Sequence, residues 1–380
     1  MIKVKKEKLL ITPKDIKSSS KDFEVIGTTN PGAMRLPNGN IVLYVRVIEK
    51  FIKNERKNCC FSPRMTGKNK FKIKLDKFSR KIIKEKSNMD ILFKDGTKRL
   101  TFISHFRRVI LDKTGFKILS IDKKPSFYGV SWDGELGIED PRITKVGDLY
   151  VMTYVSLSRK ENVSTSYAIS NDCFNWYRRG VIFGEENKDA VIFPELINNK
   201  YYSFNRPAGG FHFSLPHIWI VNSKDLEYWG EPKPIFLAKK GDWDYGTNGA
   251  GVPPIKTKDG WLLIYHAVKE KIEKDSSLLA ELEKLIGIKK EREISYYLVG
   301  AALFDLKNPE KLIAKSGSPI LIPHKKYEKG TFEDKRVIFP TGLVVDKNKK
   351  GLLIYSGAGD AYTTVKKVAL REIMGSLEKV

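Results

Sequence analysis

Short apolar or alternating runs recur along the whole chain, at 41–47, 149–155, 164–169, 201–204, 218–221, 261–266, 298–303 and 352–356, most of them bounded by Gly, Pro, Asn or Asp. Runs of this length and punctuation read as β-strands, and helical periodicity is scarce. A polar turn followed by aromatics repeats with them. Ser170-Asn171-Asp172-Cys173-Phe174-Asn175-Trp176 and Ser223-Lys224-Asp225-Leu226-Glu227-Tyr228-Trp229 place their tryptophans 53 residues apart, and a looser copy, Leu111-Asp112-Lys113-Thr114-Gly115-Phe116, lies about one period upstream. A period near 50 with about four strands per unit points to a β-propeller. At this spacing 380 residues hold five or six units, not seven. The expected fold is all-β, a single propeller domain over 1–380. One segment departs from the pattern. Residues 269–292 read as a helical insertion, with Asp275 or Ser276 as N-cap and Leu278, Leu279, Leu282, Leu285 and Ile286 on one broad face, either packed on the propeller side or serving as a lid or subunit contact.

Three cysteines, Cys59 and Cys60 adjacent and Cys173 alone, make neither a disulfide framework nor a zinc pattern. The N-terminal Met1-Ile2-Lys3-Val4-Lys5-Lys6 lacks the apolar core of a signal peptide, and no run approaches a membrane span. The expectation is a cytoplasmic protein with no membrane partner. The formal charge of +24 allows a nucleic-acid partner, an anionic substrate or a Lys-rich background. Much of the excess lies between Lys53 and Lys98, with no Arg-rich helix, zinc-finger spacing or aromatic RNA-binding motif, so no nucleic-acid partner is expected.

Gly137-Ile138-Glu139-Asp140-Pro141-Arg142-Ile143 sits just before the strand-like run Leu149-Tyr150-Val151-Met152-Thr153-Tyr154. Pro141 restrains its own φ and pushes Asp140 toward extended backbone, which would present a carboxylate on stiff chain at the start of a strand. Alone, the motif reads equally as a turn in which Asp140 caps amides and Glu139 pairs with Arg142. Other polar groups stand where strands leave the core: Asn30-Pro31-Gly32-Ala33, Arg46-Val47, Asn187-Lys188-Asp189, Asn205-Arg206-Pro207, Tyr265-His266 and Gly357-Ala358-Gly359-Asp360. In a propeller, strand ends from successive units converge on one funnel.

With these motifs in this order, together with Ile192-Phe193-Pro194-Glu195, Gly249-Ala250-Gly251-Val252-Pro253-Pro254-Ile255-Lys256 and Phe339-Pro340-Thr341-Gly342, the chain resembles glycoside hydrolase family 130 from about Phe23 to Thr364. The resemblance implies a five-bladed β-propeller and a mannoside phosphorylase, with a minority of family members being β-mannosidases. Residues 50–100 match poorly, and 269–292 is longer than the loop usual there. Carried over by position, Asp140 is the general acid, and Asn30, Arg46 and Asp360 grip the mannosyl unit. Lys188, Arg206 and His266 bind phosphate, with a tyrosine of the Tyr296-Tyr297 pair a further candidate. Lys188 stands where many family phosphorylases carry Arg, and Thr247-Asn248 precedes Gly249 where a basic residue is common.

The residue types suit this chemistry. Inverting hydrolysis needs one acid for the leaving oxygen and one carboxylate to activate water. Phosphorolysis needs only the acid, because phosphate is already an anionic nucleophile that cations can bind and orient. The leading expectation is phosphorolysis of a β-mannoside, with β-1,2-linked mannobiose or oligomannoside favoured over β-1,4-mannosyl-glucose, to give α-mannose 1-phosphate. Inorganic phosphate is the co-substrate, no metal or organic cofactor is implied, and homo-oligomerisation is open. Hydrolysis by a β-mannosidase would call on Glu135, Glu195 or Glu186 as base. A non-catalytic sugar-binding propeller is the third reading. Each site residue also has a structural alternative: Arg206 pairs with an acid, Lys188 is a solvated charge, His266 is a core histidine and Asp360 a turn residue.

Overall fold

A computed structural model describes residues 1–53, 55–209, 213–235, 238–273, 292–330, 335–346 and 348–380. The described chain is almost entirely β. Its helical content is one short α-helix, Leu370–Met374, and three 3-10 turns. None of its helices is long and apolar enough to cross a membrane.

The strands form antiparallel meanders in chain order. The first pairs Phe23–Arg35, Ile41–Phe51, Phe102–Leu111 and Ile118–Ile121. The second comprises Gly137–Val146, Leu149–Ser158, Asn162–Ser170 and Tyr177–Phe183, and the third Asn187–Ile192, Tyr201–Pro207, Trp219–Ser223 and Trp229–Pro234. A ten-stranded sheet then contains two further meanders, joined where Ser295–Tyr297 runs parallel to Lys335–Val337. The fourth is Asn248–Ala250, Trp261–Glu273, Arg292–Phe304 and Leu312–Ser316. The fifth is Lys335–Val345, Gly351–Ala358 and Tyr362–Ala369, with the N-terminal strand Val4–Ile11 added at its outer edge.

Burial explains the sequence patterns. Second strands such as Ile41–Phe51 are covered on both faces and read as nearly continuous apolar runs. Outer strands such as Tyr177–Phe183 alternate buried or half-buried with exposed residues. The cores lie between neighbouring meanders. Tyr44, Phe106, Ile143 and Met152 join the first to the second, and Val151, Tyr167, Ile192 and Leu226 the second to the third. Phe193, Phe204, Trp261 and Phe304 join the third to the fourth, and Ile264, Val299, Ile338 and Ile354 the fourth to the fifth. Leu43, Val45, Tyr355 and Val365 return from the fifth to the first.

The repeated polar turn joins the third and outer strands. Asp172 Oδ1 accepts from the amides of Phe174 and Asn175 at 2.8 Å each, and Asp225 Oδ1 accepts from Glu227 and Tyr228 at 2.9 Å each. Asp112 does the same for Gly115 in the first meander, and Asp305 for Lys307 and Asn308 in the fourth, a copy the sequence pattern did not reveal because no aromatic follows it.

One expectation needs correction. The segment 269–292 is not helical at its ends: Trp261–Glu273 and Arg292–Phe304 are strands, paired continuously out to Glu273 opposite Arg292. Residues 274–291, on which the expected helix falls, lie outside the described residues. Ladder pairing that starts in the buried stretch Ile264–Ala267 overrides the helix preference of Lys269 and Glu270. The poorly matching stretch 50–100 forms two three-stranded sheets, inserted between paired strands of the first meander. Phe71, Ile73 and Leu75 of this insertion pack onto Phe23, Met65 and Ile103.

Candidate active site

The first strands of three meanders carry the same irregularity. The ladder register shifts between Thr29 and Gly32, between Glu139 and Arg142, and between Lys188 and Val191. Within these bulges Asn30, Asp140 and Asp189 hold left-handed backbone, with φ of 45°, 51° and 56°. Asn and Asp tolerate this region better than other non-glycine residues, and a bulge re-aims one side chain out of the alternation. Asp140 is therefore not in the extended conformation expected from Pro141: the bulge, anchored on both sides by the ladder, decides its φ.

The bulges bring their side chains together. Asp140 Oδ1 accepts hydrogen bonds from Asn30 Nδ2 at 2.7 Å and from Arg46 at 3.2 Å, and Arg46 also donates to Glu139. Asp360 occupies the turn after Gly351–Ala358, also at positive φ, and its charge acts on both Arg46 and Glu139. Burial pushes the Glu139 carboxyl up. Arg46 and Lys188 oppose that shift, while Asp140 and Asp360 reinforce it. So Asn30, Arg46, Asp140 and Asp360 share one region, and Lys188 is near enough for its charge to be felt there.

The remaining cations gather on a residue the sequence reading did not single out. Asp189 is 2% exposed; its Oδ2 accepts from Arg206 Nε at 2.6 Å and its Oδ1 from Arg142 at 2.8 Å, while His266 Nε2 lies 3.6 Å from Oδ2. Burial by itself would raise the Asp189 carboxyl, but Arg206, His266 and Arg142 outweigh it and hold the group well below the usual carboxylate range. Arg142 ties the two halves together. Besides Asp189 it donates to the Asp140 carbonyl at 3.2 Å and to Gly251 O at 2.9 Å. The signal for Asp189 was present: it lies 49 residues after Asp140, close to the repeat period, at the same place on its strand.

Gly249 makes room for this cluster, since a Cβ there would collide with the Asp189 carboxylate and reach 2.7 Å from His266 Cε1. Gly357 does the same for the Asn30 side chain.

His266 is 2% exposed and packs at a tilt against Phe339, ring centroids 4.4 Å apart. Its pKa falls to about 4, chiefly through burial, with Arg206 and Arg142 acting in the same direction against Asp189. Burial keeps the ring neutral near pH 7, so it serves as a hydrogen-bonding group there. Its Nδ1 is buried with no hydrogen-bond partner among the described residues. The fixed positive charges are Arg206 and Lys188, which face each other across adjacent strands. Arg206 commits only Nε to Asp189, and Lys188 has no partner among the described residues. Like charges directly opposite destabilise a sheet, so the pair is arranged for an anion. Of the candidate tyrosines, Tyr297 packs edge-on at 6.3 Å against Phe339, the ring that also covers His266.

The carboxylates named as bases for water are largely committed elsewhere. Arg159 holds Glu135 through two side-chain bonds, 2.6 and 2.9 Å, and Glu195 pairs with Lys256 at the opposite end of its hairpin. Glu186 immediately precedes the strand bearing Lys188. Asn248 is structural: its amide bonds Ile218 N and the Asp244 carbonyl. Among the described residues no group of three or more His, Cys, Asp or Glu side chains is placed to hold a metal.

Such a site offers one carboxyl held by neutral and cationic donors, beside a pocket of cations around a fixed carboxylate. A family model described as beta-1,4-mannooligosaccharide phosphorylase matches residues 115–379. The beta-1,2-mannobiose phosphorylase of Listeria innocua is 32% identical over 98% of this chain and 97% of its own length. A solved structure of the beta-1,2-mannobiose phosphorylase from Listeria innocua, a complex with beta-1,2-mannobiose, superposes with a TM-score of 0.80 over 97% of this chain and 96% of that one. A 1,2-beta-oligomannan phosphorylase from Thermoanaerobacter sp. is 33% identical over 69% of this chain and 78% of its own. Sequence motifs, fold and relatives agree: the chain belongs to glycoside hydrolase family 130.

Proposed function

We propose that this protein is an inverting glycoside phosphorylase that cleaves β-1,2-linked mannobiose or oligomannosides with inorganic phosphate, giving α-mannose 1-phosphate and a shortened sugar. The observation that carries the proposal is the placement of Lys188 and Arg206 opposite each other near Asp140, whose Oδ1 is held by Asn30 and Arg46. Glu135 and Glu195 are tied to other cations, which further favours phosphate over water as nucleophile.

In this reading the domain spans 1–380 as a five-bladed β-propeller, supported by the cyclic packing of five meanders and by the N-terminal strand that completes the fifth. Asn30, Arg46 and Asp360 hold the mannosyl unit. Lys188, Arg206 and neutral His266 orient phosphate against the anomeric carbon. A phosphate oxygen forms the new bond to that carbon from the face opposite the leaving group, and the glycosidic C–O bond breaks. Asp140 supplies the proton to the departing oxygen, through a hydroxyl of the bound mannose as the family resemblance implies, and the attack from the opposite face inverts the configuration once. Three buried free thiols, Cys59, Cys60 and Cys173, support a cytoplasmic setting.

The reverse reaction tests this directly. With α-mannose 1-phosphate and mannose, the protein should make a β-1,2-linked disaccharide and release phosphate, and Asp140→Asn should lose nearly all of it. Failure of the intact protein to couple the two sugars sinks the phosphorylase reading, and activity retained in the variant moves the acid elsewhere.

A further inference from the structure

A second cleft, of about 460 Å³, opens on the outer side of the seam between the first and second meanders. Its walls come from three places: Lys68 and Asn69 of the 50–100 insertion, the segment from Ser126 to Trp132, and the turn and outer strand from Phe174 to Arg178. It is separate from the Asp140 site. Arg178 sits on the fourth strand of the second meander and Asp140 on the first, three strand spacings or roughly 14 Å apart.

The cleft leaves large aromatic rings in water. Trp132 is 51% exposed, Tyr177 65% and Phe174 36%. Aromatic surface concentrated around a cleft marks a binding site more than scattered exposure does. The rings sit on a rigid frame. Trp176 packs edge-on against buried Tyr44 at 5.7 Å, and the Arg108 guanidinium lies 4.7 Å from the Phe174 ring. Arg178 is fixed by buried Asp133 at 2.6 Å, by the Tyr128 carbonyl and by the Phe127 ring 4.1 Å away. Asp133 in turn accepts from Tyr154, Ser156 and Ser166.

Charge and chemistry narrow the occupant. Asp133 neutralises Arg178, leaving Lys68 as the only uncompensated charge in the lining, and no carboxylate lines the cleft to attract a cation. What remains are aromatic faces with Asn69 and Asn175 amides between them, which suits a neutral ligand with an apolar face and a hydroxyl rim. A β-mannopyranose ring is such a ligand: its C1, C3 and C5 hydrogens all lie on one face, its axial O2 on the other.

We propose that this cleft is a second carbohydrate site, which binds an oligomannoside independently of the Asp140 site by stacking on Trp132 and Tyr177 and by hydrogen bonds from Asn69, Lys68 and the Asn175 amide, which Asp172 holds in place at 2.7 Å. The proposal rests on the reading of the chain as a mannoside enzyme, and adds a site that the reaction itself does not require.

The test is the stoichiometry of binding of a β-1,2-linked oligomannoside of about six units, titrated calorimetrically without phosphate. The intact protein should bind two per chain and Trp132→Ala/Tyr177→Ala one, with kcat/KM on mannobiose within twofold of the intact protein. Asn69→Ala/Asn175→Ala should weaken the second event about tenfold while both events persist. One event in the intact protein, or two in the aromatic variant, overturns the proposal. So does loss of mannobiose turnover in both variants, or a dimer in size exclusion that the aromatic variant turns into monomer with unchanged sugar stoichiometry. Absence of mannobiose phosphorolysis in the intact protein would instead count against the proposed reaction, and is scored separately from the stoichiometry.

Discussion

Replacing Asp189 with asparagine keeps the size of the side chain and removes the charge on which the cationic half of the site is built. In the intact protein that carboxylate takes hydrogen bonds from Arg206 at 2.6 Å and Arg142 at 2.8 Å, fully out of water. An amide can satisfy one guanidinium through its oxygen, but its NH₂ faces the other as donor against donor. Removing one partner of a buried ion pair costs about 3–5 kcal/mol, because the remaining charge stays buried and unmatched. Against a total stability of about 5–15 kcal/mol for a folded domain, that is a large fraction. Urea unfolding of Asp189→Asn should therefore show a midpoint well below that of the intact protein. Added phosphate should stabilise the variant more than the intact protein, since an anion then has an unopposed charge to neutralise. Turnover should still fall: misorienting Arg206 and the Arg142 clamp on Asp140 by as little as about 1.4 kcal/mol costs tenfold in rate. Asp189 stays ionised in the folded protein as the pH falls through 4, but its contribution to stability, fully present above the usual carboxylate range, is lost progressively from that range down to the depressed folded value, so acid should mimic the stability loss of the substitution only gradually below about pH 4. Stability within about 1 kcal/mol of the intact protein, with unchanged KM for phosphate, would refute the assignment of Asp189 as the buried anchor.

Three further outcomes follow from the same geometry. His266 has a folded pKa of about 4 against 6.5 in an unfolded chain, so unfolded protein binds the extra proton between these values. Its contribution is present above pH 6.5 and lost as pH falls through about 4, a drop of about 3 kcal/mol; chemical unfolding at stepped pH should show this slope, and His266→Gln should flatten it. Gly249→Ala places a methyl group against Asp189 and His266, and should raise KM for phosphate at least tenfold while far-ultraviolet circular dichroism stays unchanged; unaltered kinetics would mean the strand Asn248–Ala250 yields without disturbing the site. Glu186→Gln should keep phosphate-dependent turnover within a few-fold of the intact protein, and loss of activity would point to this carboxylate as a base for water.

Much of this was legible in the chain. Strand runs and the Asp172 and Asp225 turns were readable because their causes are local: alternation against a core, and a carboxylate capping the next amides. Glu139-Asp140-Pro141-Arg142 drew attention through its residue types, and Asn30, Arg46, Lys188, Arg206 and His266 as polar groups expected where strands leave the core; the strands run longer than the apolar runs suggested, so Asn30, Arg46 and His266 lie inside them. Asp189 was missed because its role is to hold others, which depends on Arg142 arriving from one meander and Arg206 and His266 from two more. The φ of Asp140 was misjudged from its neighbour Pro141, since a bulge is a property of two strands in register. At 269–292 Leu and Glu content suggested a helix, yet the long pairing of Trp261–Glu273 with Arg292–Phe304 fixes both ends as strand.

The central claim is that phosphate, not water, meets the anomeric carbon opposite Asp140. It is tested by following β-1,2-mannobiose cleavage by ³¹P and ¹H NMR at a series of phosphate concentrations. The account predicts α-mannose 1-phosphate and mannose in equal amounts, a rate that saturates with phosphate, and none in its absence. Free mannose as the sole product, formed at a rate independent of phosphate, would contradict it.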